Sequence, residues 1–145
     1  MIAYVDSSVL LRFAFGEPQR LKEWSEIHHG VTSALAEVET LRTLDRLRVS
    51  TPMDERQLAQ RRETVFRLLE GLEIVEVTRV VLARAGQPLP TALGTLDAIH
   101  LASAMLWRER SSEDGLVMAT HDGALGLAAR ACGFEVLGTP GPIEQ

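Results

Sequence analysis

A chain of 145 residues that is 46% hydrophobic can bury one proper core, so one domain over residues 1–145 is expected. Its single cysteine, Cys132, excludes an internal disulfide and a cysteine-rich zinc site. The net charge of −5 speaks against wrapping duplex DNA on a basic surface, although clustered metal-binding carboxylates would themselves pull the total negative.

Ile2-Ala3-Tyr4-Val5 is a short unbroken apolar run, as expected of a strand buried on both faces of a parallel sheet. It ends in Asp6-Ser7-Ser8, and Val9 to Phe13 reads as helix. A carboxylate at the carboxyl end of a central strand stands where open α/β sheets place ligands; the competing reading is that Asp6 or Ser7 only caps the helix. Asp6 also interrupts the first apolar run, and no later run nears the roughly 20 residues of a membrane span. Neither a signal peptide nor a membrane segment is therefore expected, and a cytoplasmic location is.

After the break at Gly16-Glu17-Pro18, residues Gln19 to His28 are expected as an amphipathic helix with Leu21, Trp24 and Ile27 inward. His28 and His29 are adjacent and point to different sides, which makes a poor metal pair. Val31-Thr32 is a very short strand candidate, and Ser33 is placed to cap a helix from Ala34 to Arg48 carrying Leu35, Val38, Leu41, Leu44 and Leu47. Of its two early acids, Glu39 is four residues from Leu35 and shares its face, whereas Glu37 is turned toward solvent.

Thr51-Pro52 restarts the chain, and Asp54 to Glu70 reads as a long arginine-rich helix ended by Gly71. Its arginines, Arg56, Arg61, Arg62 and Arg67, suit either a solvated face or phosphate contacts. Leu72 to Val77 is expected as a strand near a sheet edge, with Thr78 capping a short helix over Val80 to Ala85 and a turn-rich loop from Gly86 to Pro90.

Thr95 is the expected N-cap of a helix running to Arg110, with Ala98, Leu101, Ala102 and Met105 as its buried stripe. Asp97 lies in its first turn, where an acid also suits the helix dipole, a contribution of about 0.3–1 kcal/mol. Ser111 to Gly115 is a polar connection and the expected mobile loop. Leu116 to Ala119 is a second buried strand that runs into Thr120-His121-Asp122; then come a helix from Gly123 to Ala131, a strand from Phe134 to Leu137, and a tail from Thr139 to Gln145. Strands alternating with helices predict an α/β sandwich on a parallel sheet.

Two strands thus end at Asp6 and Asp122, and two helices carry Glu39 and Asp97 near their starts. Four carboxylates brought together repel one another unless something positive offsets them, and hard divalent cations suit oxygen donors. One or two Mg²⁺ or Mn²⁺ ions at such a set would activate water and stabilise the leaving oxygen of a phosphodiester. Receiver-type and aspartyl-phosphatase phosphoryl-transfer domains also place an acid after the first strand. Both need a lysine late in the chain, and the only lysine is Lys22; the phosphatase also wants an acid where Ser8 stands. No GxxxxGK[ST] or GxGxxG motif supports nucleotide binding. A non-catalytic α/β binding module remains open if the acids do not converge.

The pattern resembles the PIN-domain family, in particular the VapC-type toxins of toxin–antitoxin pairs. Tyr4-Val5-Asp6-Ser7-Ser8-Val9-Leu10-Leu11 is similar to the opening strand and first acid of that family. Thr32-Ser33-Ala34-Leu35 leading to Glu39-Thr40-Leu41-Arg42 resembles its serine-led helix with Glu-x-x-Arg, and Leu96 to Ala104 its most specific signature. Val117 to Asp122 looks like its closing Thr-x-Asp. The resemblance implies a three-layer sandwich on a five-stranded parallel sheet of order 3-2-1-4-5, with Asp6, Glu39, Asp97 and Asp122 as catalytic and metal-binding acids. Ser7 and Thr120 would be supporting hydroxyls. It further implies Mg²⁺- or Mn²⁺-dependent cleavage of single-stranded regions of RNA, a homodimer, and a small cognate antitoxin that silences the acidic pocket with an Arg or Lys and lays a helix beside the Asp54–Glu70 region.

Overall fold

The computed structural model of the chain describes residues 1–113 and 115–141. β1 (Ile2–Val5) is buried along its whole length, as its unbroken apolar run requires. Ala3 and Val5 pack into one helical layer, Ile2 and Tyr4 into the other, following the two-residue alternation of a strand. β2 (His29–Ser33), β3 (Leu72–Val75), β4 (Val117–Ala119) and β5 (Val136–Leu137) complete a sheet of order β3-β2-β1-β4-β5. Every neighbouring pair is parallel. The order expected from the family resemblance is therefore observed.

On one face lie α1 (Ser7–Ala14), α2 (Leu35–Ser50) and α3 (Glu55–Glu70), closing over Ala3, Val5 and Val117 with Val9, Leu10, Leu44 and Val65. The other face carries α5 (Thr95–Arg110) and α6 (Gly123–Ala131), whose Leu101, Ala104, Leu125 and Ala128 meet Tyr4, Val31 and Met118. The short α4 (Arg79–Ala85) packs on α5. Leu101, Met118 and Leu125 are fully enclosed, each worth about 1.5–3 kcal/mol of burial. α6 stops because Gly133 takes φ +87°, letting the Phe134 amide reach back to the Ala129 carbonyl at 3.0 Å. No helix among the described residues is long and apolar enough to cross a membrane.

Several expectations are corrected. Gln19 to His28 is not an α-helix: only Lys22–Glu26 coils, as a 3₁₀ segment. Leu21, Trp24 and Ile27 recur every third residue, which matches the three-residue turn of a 3₁₀ helix as well as it matches an α-helix. Leu21 is nevertheless buried, and Trp24 packs on Phe13 with ring centroids 4.7 Å apart. In α2 the buried ridge is Ala36, Thr40 and Leu44, and Val38 is 58% exposed. A three-residue step lags the 3.6-residue turn, so the expected leucine stripe drifts off the packed face. Thr95 is the first helical residue rather than the cap; Gly94 holds the N-cap position and its carbonyl accepts from Ala98 at 3.0 Å. β3 is two residues shorter than the expected Leu72–Val77 and sits at the sheet edge. Asp114 of the expected mobile loop and residues 142–145 of the expected tail lie outside the described residues.

Candidate active site

The register of the sheet places the first acid. Val5 pairs with Ala119, and the Asp6 amide donates to the Ala119 carbonyl at 3.0 Å, so Asp6 and Thr120 leave neighbouring strands side by side. Asp6 occupies the N-cap position of α1, yet its carboxylate takes no amide of that helix. It is 3% exposed and faces inward instead. The hydroxyls of Ser8 and Thr120 donate to its Oδ2 at 2.7 and 2.8 Å, and Ser7 lies 3.4 Å from its Oδ1. The reading of Asp6 as a mere helix cap is thereby excluded. Thr120 also accepts from the Asp122 amide at 3.0 Å, so one hydroxyl ties the first acid to the last. Asp122 caps α6, its Oδ1 accepting from the Leu125 amide at 3.1 Å.

Glu39 and Asp97 arrive from opposite layers. Glu39, on the third position after the buried Ala36, accepts from Nε2 of His100, while Glu37 is exposed. His100 itself is wholly buried on α5; its Nδ1 meets the Tyr4 hydroxyl at 2.7 Å and its Nε2 stands 3.6 Å from Asp6. Burial pulls the His100 pKa down, but the bond to Glu39 and the charges of Asp6, Glu39 and Asp97 outweigh it and leave it raised. Burial, together with the charge of Asp6, pushes the Tyr4 hydroxyl well above its ordinary value. Three residues before His100 on the same helix, Asp97 is half-buried, and its carboxyl is pushed up to about 6, first by desolvation and then by the charges of Asp122, Asp6 and Glu39. Among the described residues nothing donates to it and no Arg or Lys pairs with any of the four acids.

The structure thus strings Glu39, His100, Asp6, Thr120 and Asp122 into one chain of polar contacts with Asp97 within electrostatic reach. As the side chains stand, no three His, Cys, Asp or Glu donors among the described residues close into a metal shell. The donor set itself fits a hard divalent cation: four carboxylates with no Arg or Lys partner among the described residues, His100 alone standing against Glu39 and Asp6, and Asp97 raised to about 6 by desolvation and then by the charges of Asp122, Asp6 and Glu39. Sequence reasoning overlooked Tyr4, Ser8 and His100. The signals were present, since Tyr4 is two residues before Asp6 and His100 three after Asp97, spacings that share a strand face and a helix face.

Comparison with known proteins identifies the family. The PIN domain family model matches residues 3–125. Ribonuclease VapC46 of Mycobacterium tuberculosis is 35% identical over 137 residues, 92% of this chain and 95% of that protein. Ribonuclease VapC47 of the same species is 32% identical, over 97% and 98% of the two chains. A chain from a toxin–antitoxin complex of Klebsiella pneumoniae superposes with a TM-score of 0.63 at 16% identity, covering 99% of each, a likeness of fold. With the family model spanning most of its length and two relatives matching almost end to end, the chain belongs to the PIN domain family and, within it, to the VapC-type proteins.

Proposed function

We propose that this protein is a Mg²⁺- or Mn²⁺-dependent endoribonuclease that cleaves single-stranded regions of RNA, and that it is the toxin of a toxin–antitoxin pair. The observation that carries the proposal is the gathering of Asp6, Glu39, Asp97 and Asp122 with no Arg or Lys paired to them among the described residues, which marks a place built to receive positive charge; desolvation, and then the charges of Asp122, Asp6 and Glu39, raise Asp97 to about 6. The ribonuclease names of two relatives more than 30% identical support the activity. The toxin–antitoxin complex with the same fold supports the pairing.

Asp6, Asp97 and Asp122, with Glu39, would hold the cation. When bound, it would lower the pKa of an attacking water and offset the charge that develops on the leaving oxygen. The chain's own work is positioning. Ser8 and Thr120 fix the Asp6 rotamer by two short hydroxyl bonds, and Thr120 sets the Asp122 backbone at the same time. Tyr4 sets His100, which in turn holds Glu39, so the second acid is oriented from the far side of the sheet. The antitoxin would silence the pocket with an Arg or Lys in place of the cation, an arginine fork pairing bidentately with carboxylates. The free toxin is proposed to be a cytoplasmic homodimer.

Sequencing RNA 5′ ends after induced expression, against an Asp6→Asn control, tests the proposal. Discrete new ends in the wild type alone are expected. Identical end profiles in both strains would reject it.

A further inference from the structure

Beside the carboxylates lies a second feature of opposite charge. A cavity of about 420 Å³ opens between α1, the segment from Pro18 to Glu23, His121 and the turn after β5. Arg12, Arg20 and Lys22 line it, against a single lining carboxylate, Glu23. Arg20 and Lys22 are exposed, and neither forms a salt bridge among the described residues. The Arg20 guanidinium sits 5.5 Å over the Phe13 ring, which steadies it without neutralising it. Arg12 donates to the Gln19 carbonyl at 2.7 Å and so pins the backbone that presents the other two cations; Glu17 stands 3.9 Å from its Nε.

His121 joins this cavity to the acids. Its amide donates to Ser8 at 2.9 Å, the same hydroxyl that donates to Asp6, and its chain neighbours are Thr120 and Asp122. Its Nδ1 donates to the Gly138 carbonyl at 2.9 Å, and its Nε2 is buried without a partner among the described residues. Gly138 has φ +93°, and a Cβ there would stand 2.5 Å from the Thr120 carbonyl oxygen, so only glycine lets the turn press this close.

Several arginines elsewhere are spent locally. Glu63 holds Arg67, Asp45 holds Arg42 and Arg48, Glu109 holds Arg84, and Arg61 turns to the Ala14 carbonyl. This weakens the reading of Arg61 and Arg67 on α3 as phosphate contacts, whereas Arg56 and Arg62 have no carboxylate partner among the described residues. A chain of net charge −5 repels RNA as a whole, and uncompensated carboxylates repel the scissile phosphate most. A strand brought to them needs a local cationic foothold. We infer that the cavity lined by Arg12, Arg20 and Lys22 is a subsite for a backbone phosphate of single-stranded RNA, next along the strand from the scissile phosphate. The inference rests on the ribonuclease reading above. A phosphate contact supplies affinity and register but no base preference.

The test uses the full chain and a fluorescein-labelled oligouridylate, with anisotropy read in EDTA across a sodium chloride series. Arg20→Ala/Lys22→Ala should weaken binding about tenfold at low salt and flatten the log–log salt slope by about 1.4, two contacts at about 0.7 each. Arg62→Ala/Arg67→Ala on α3, with the same change in charge, should leave both unchanged. With Mn²⁺ and an RNA that the wild type cleaves, the first variant should raise KM and keep kcat. Unaltered binding, equal loss in the α3 control, or a fall in kcat at constant KM would each overturn the subsite. A wild type that binds the oligomer but cleaves no RNA would overturn the ribonuclease reading and leave the subsite standing.

Discussion

Replacing Asp97 by Asn should stabilise the metal-free protein at neutral pH. The Asp97 carboxyl is raised from 3.8 to about 6 in the fold, so the ionised form is the one the fold disfavours. The shift of about 2 units corresponds to about 3 kcal/mol at most, at 1.36 kcal/mol per unit. Asp97 is half-exposed, and solvent screening reduces that to about 1–2 kcal/mol. Loss of the acid from the first turn of α5 gives back about 0.3–1 kcal/mol of dipole interaction. The net gain is about 1 kcal/mol, or about 3 °C in Tm. The sign follows from linkage: with the folded pKa above the unfolded one, the penalty is absent below about pH 4, grows as pH rises through the interval up to about 6, and is full above it. Thermal melts in EDTA at pH 7.5 and pH 4 provide the assay. The Asn variant should melt higher at pH 7.5 and with the wild type at pH 4; excess Mn²⁺ should reverse the order at pH 7.5, because only the wild type gains full binding stabilisation. An Asn variant that melts lower than the wild type in EDTA at pH 7.5 would refute the electrostatic reasoning.

Glu39→Gln should cut RNA turnover by orders of magnitude while Glu37→Gln matters little, because Glu37 is exposed and only Glu39 meets His100; steady-state cleavage rates decide it, and interchanged effects would contradict the geometry. Gly138→Ala should lower stability by about 2 kcal/mol or more in urea unfolding, since φ +93° and a 2.5 Å approach to the Thr120 carbonyl both oppose a Cβ. The same variant should lose activity through Thr120 and Asp6; a full-rate variant would show that this turn does not support the site. If an antitoxin places a cation among Asp6, Glu39, Asp97 and Asp122, Mn²⁺ should bind the purified complex more weakly than the free toxin by calorimetry, and equal affinities would locate inhibition elsewhere.

Much of the frame was readable because the signals were local. The apolar runs at Ile2–Val5 and Leu116–Ala119 read as strands enclosed on both faces; the first leads straight into Asp6 and the second reaches Asp122 after Thr120 and His121. Helix phase together with the Glu-x-x-Arg resemblance separates Glu37 from Glu39, and the structure leaves Glu37 exposed and Glu39 half-buried against His100. The sheet order came from family resemblance, since β1 and β4 are neighbours across more than a hundred residues and no periodicity reports that. What escaped was tertiary. His100 looks like one more residue of a helical stripe until Tyr4 and Glu39 close on its two nitrogens from different elements. Ser8 counts in the sequence only against an aspartyl phosphatase, yet it bonds Asp6 and the His121 amide. The stretch from Gln19 to His28 failed because a three-residue repeat cannot separate a 3₁₀ turn from an α-helix over so short a length.

The most direct measurement is cleavage of cellular RNA by purified protein, free of antitoxin, with Mn²⁺, with excess EDTA, and after replacing Asp6 by Asn. The account predicts new discrete fragments with Mn²⁺ for the wild type, none in EDTA, and none from the Asn variant under either condition although it folds. Undiminished cleavage in EDTA, or by Asp6→Asn with Mn²⁺, would contradict it.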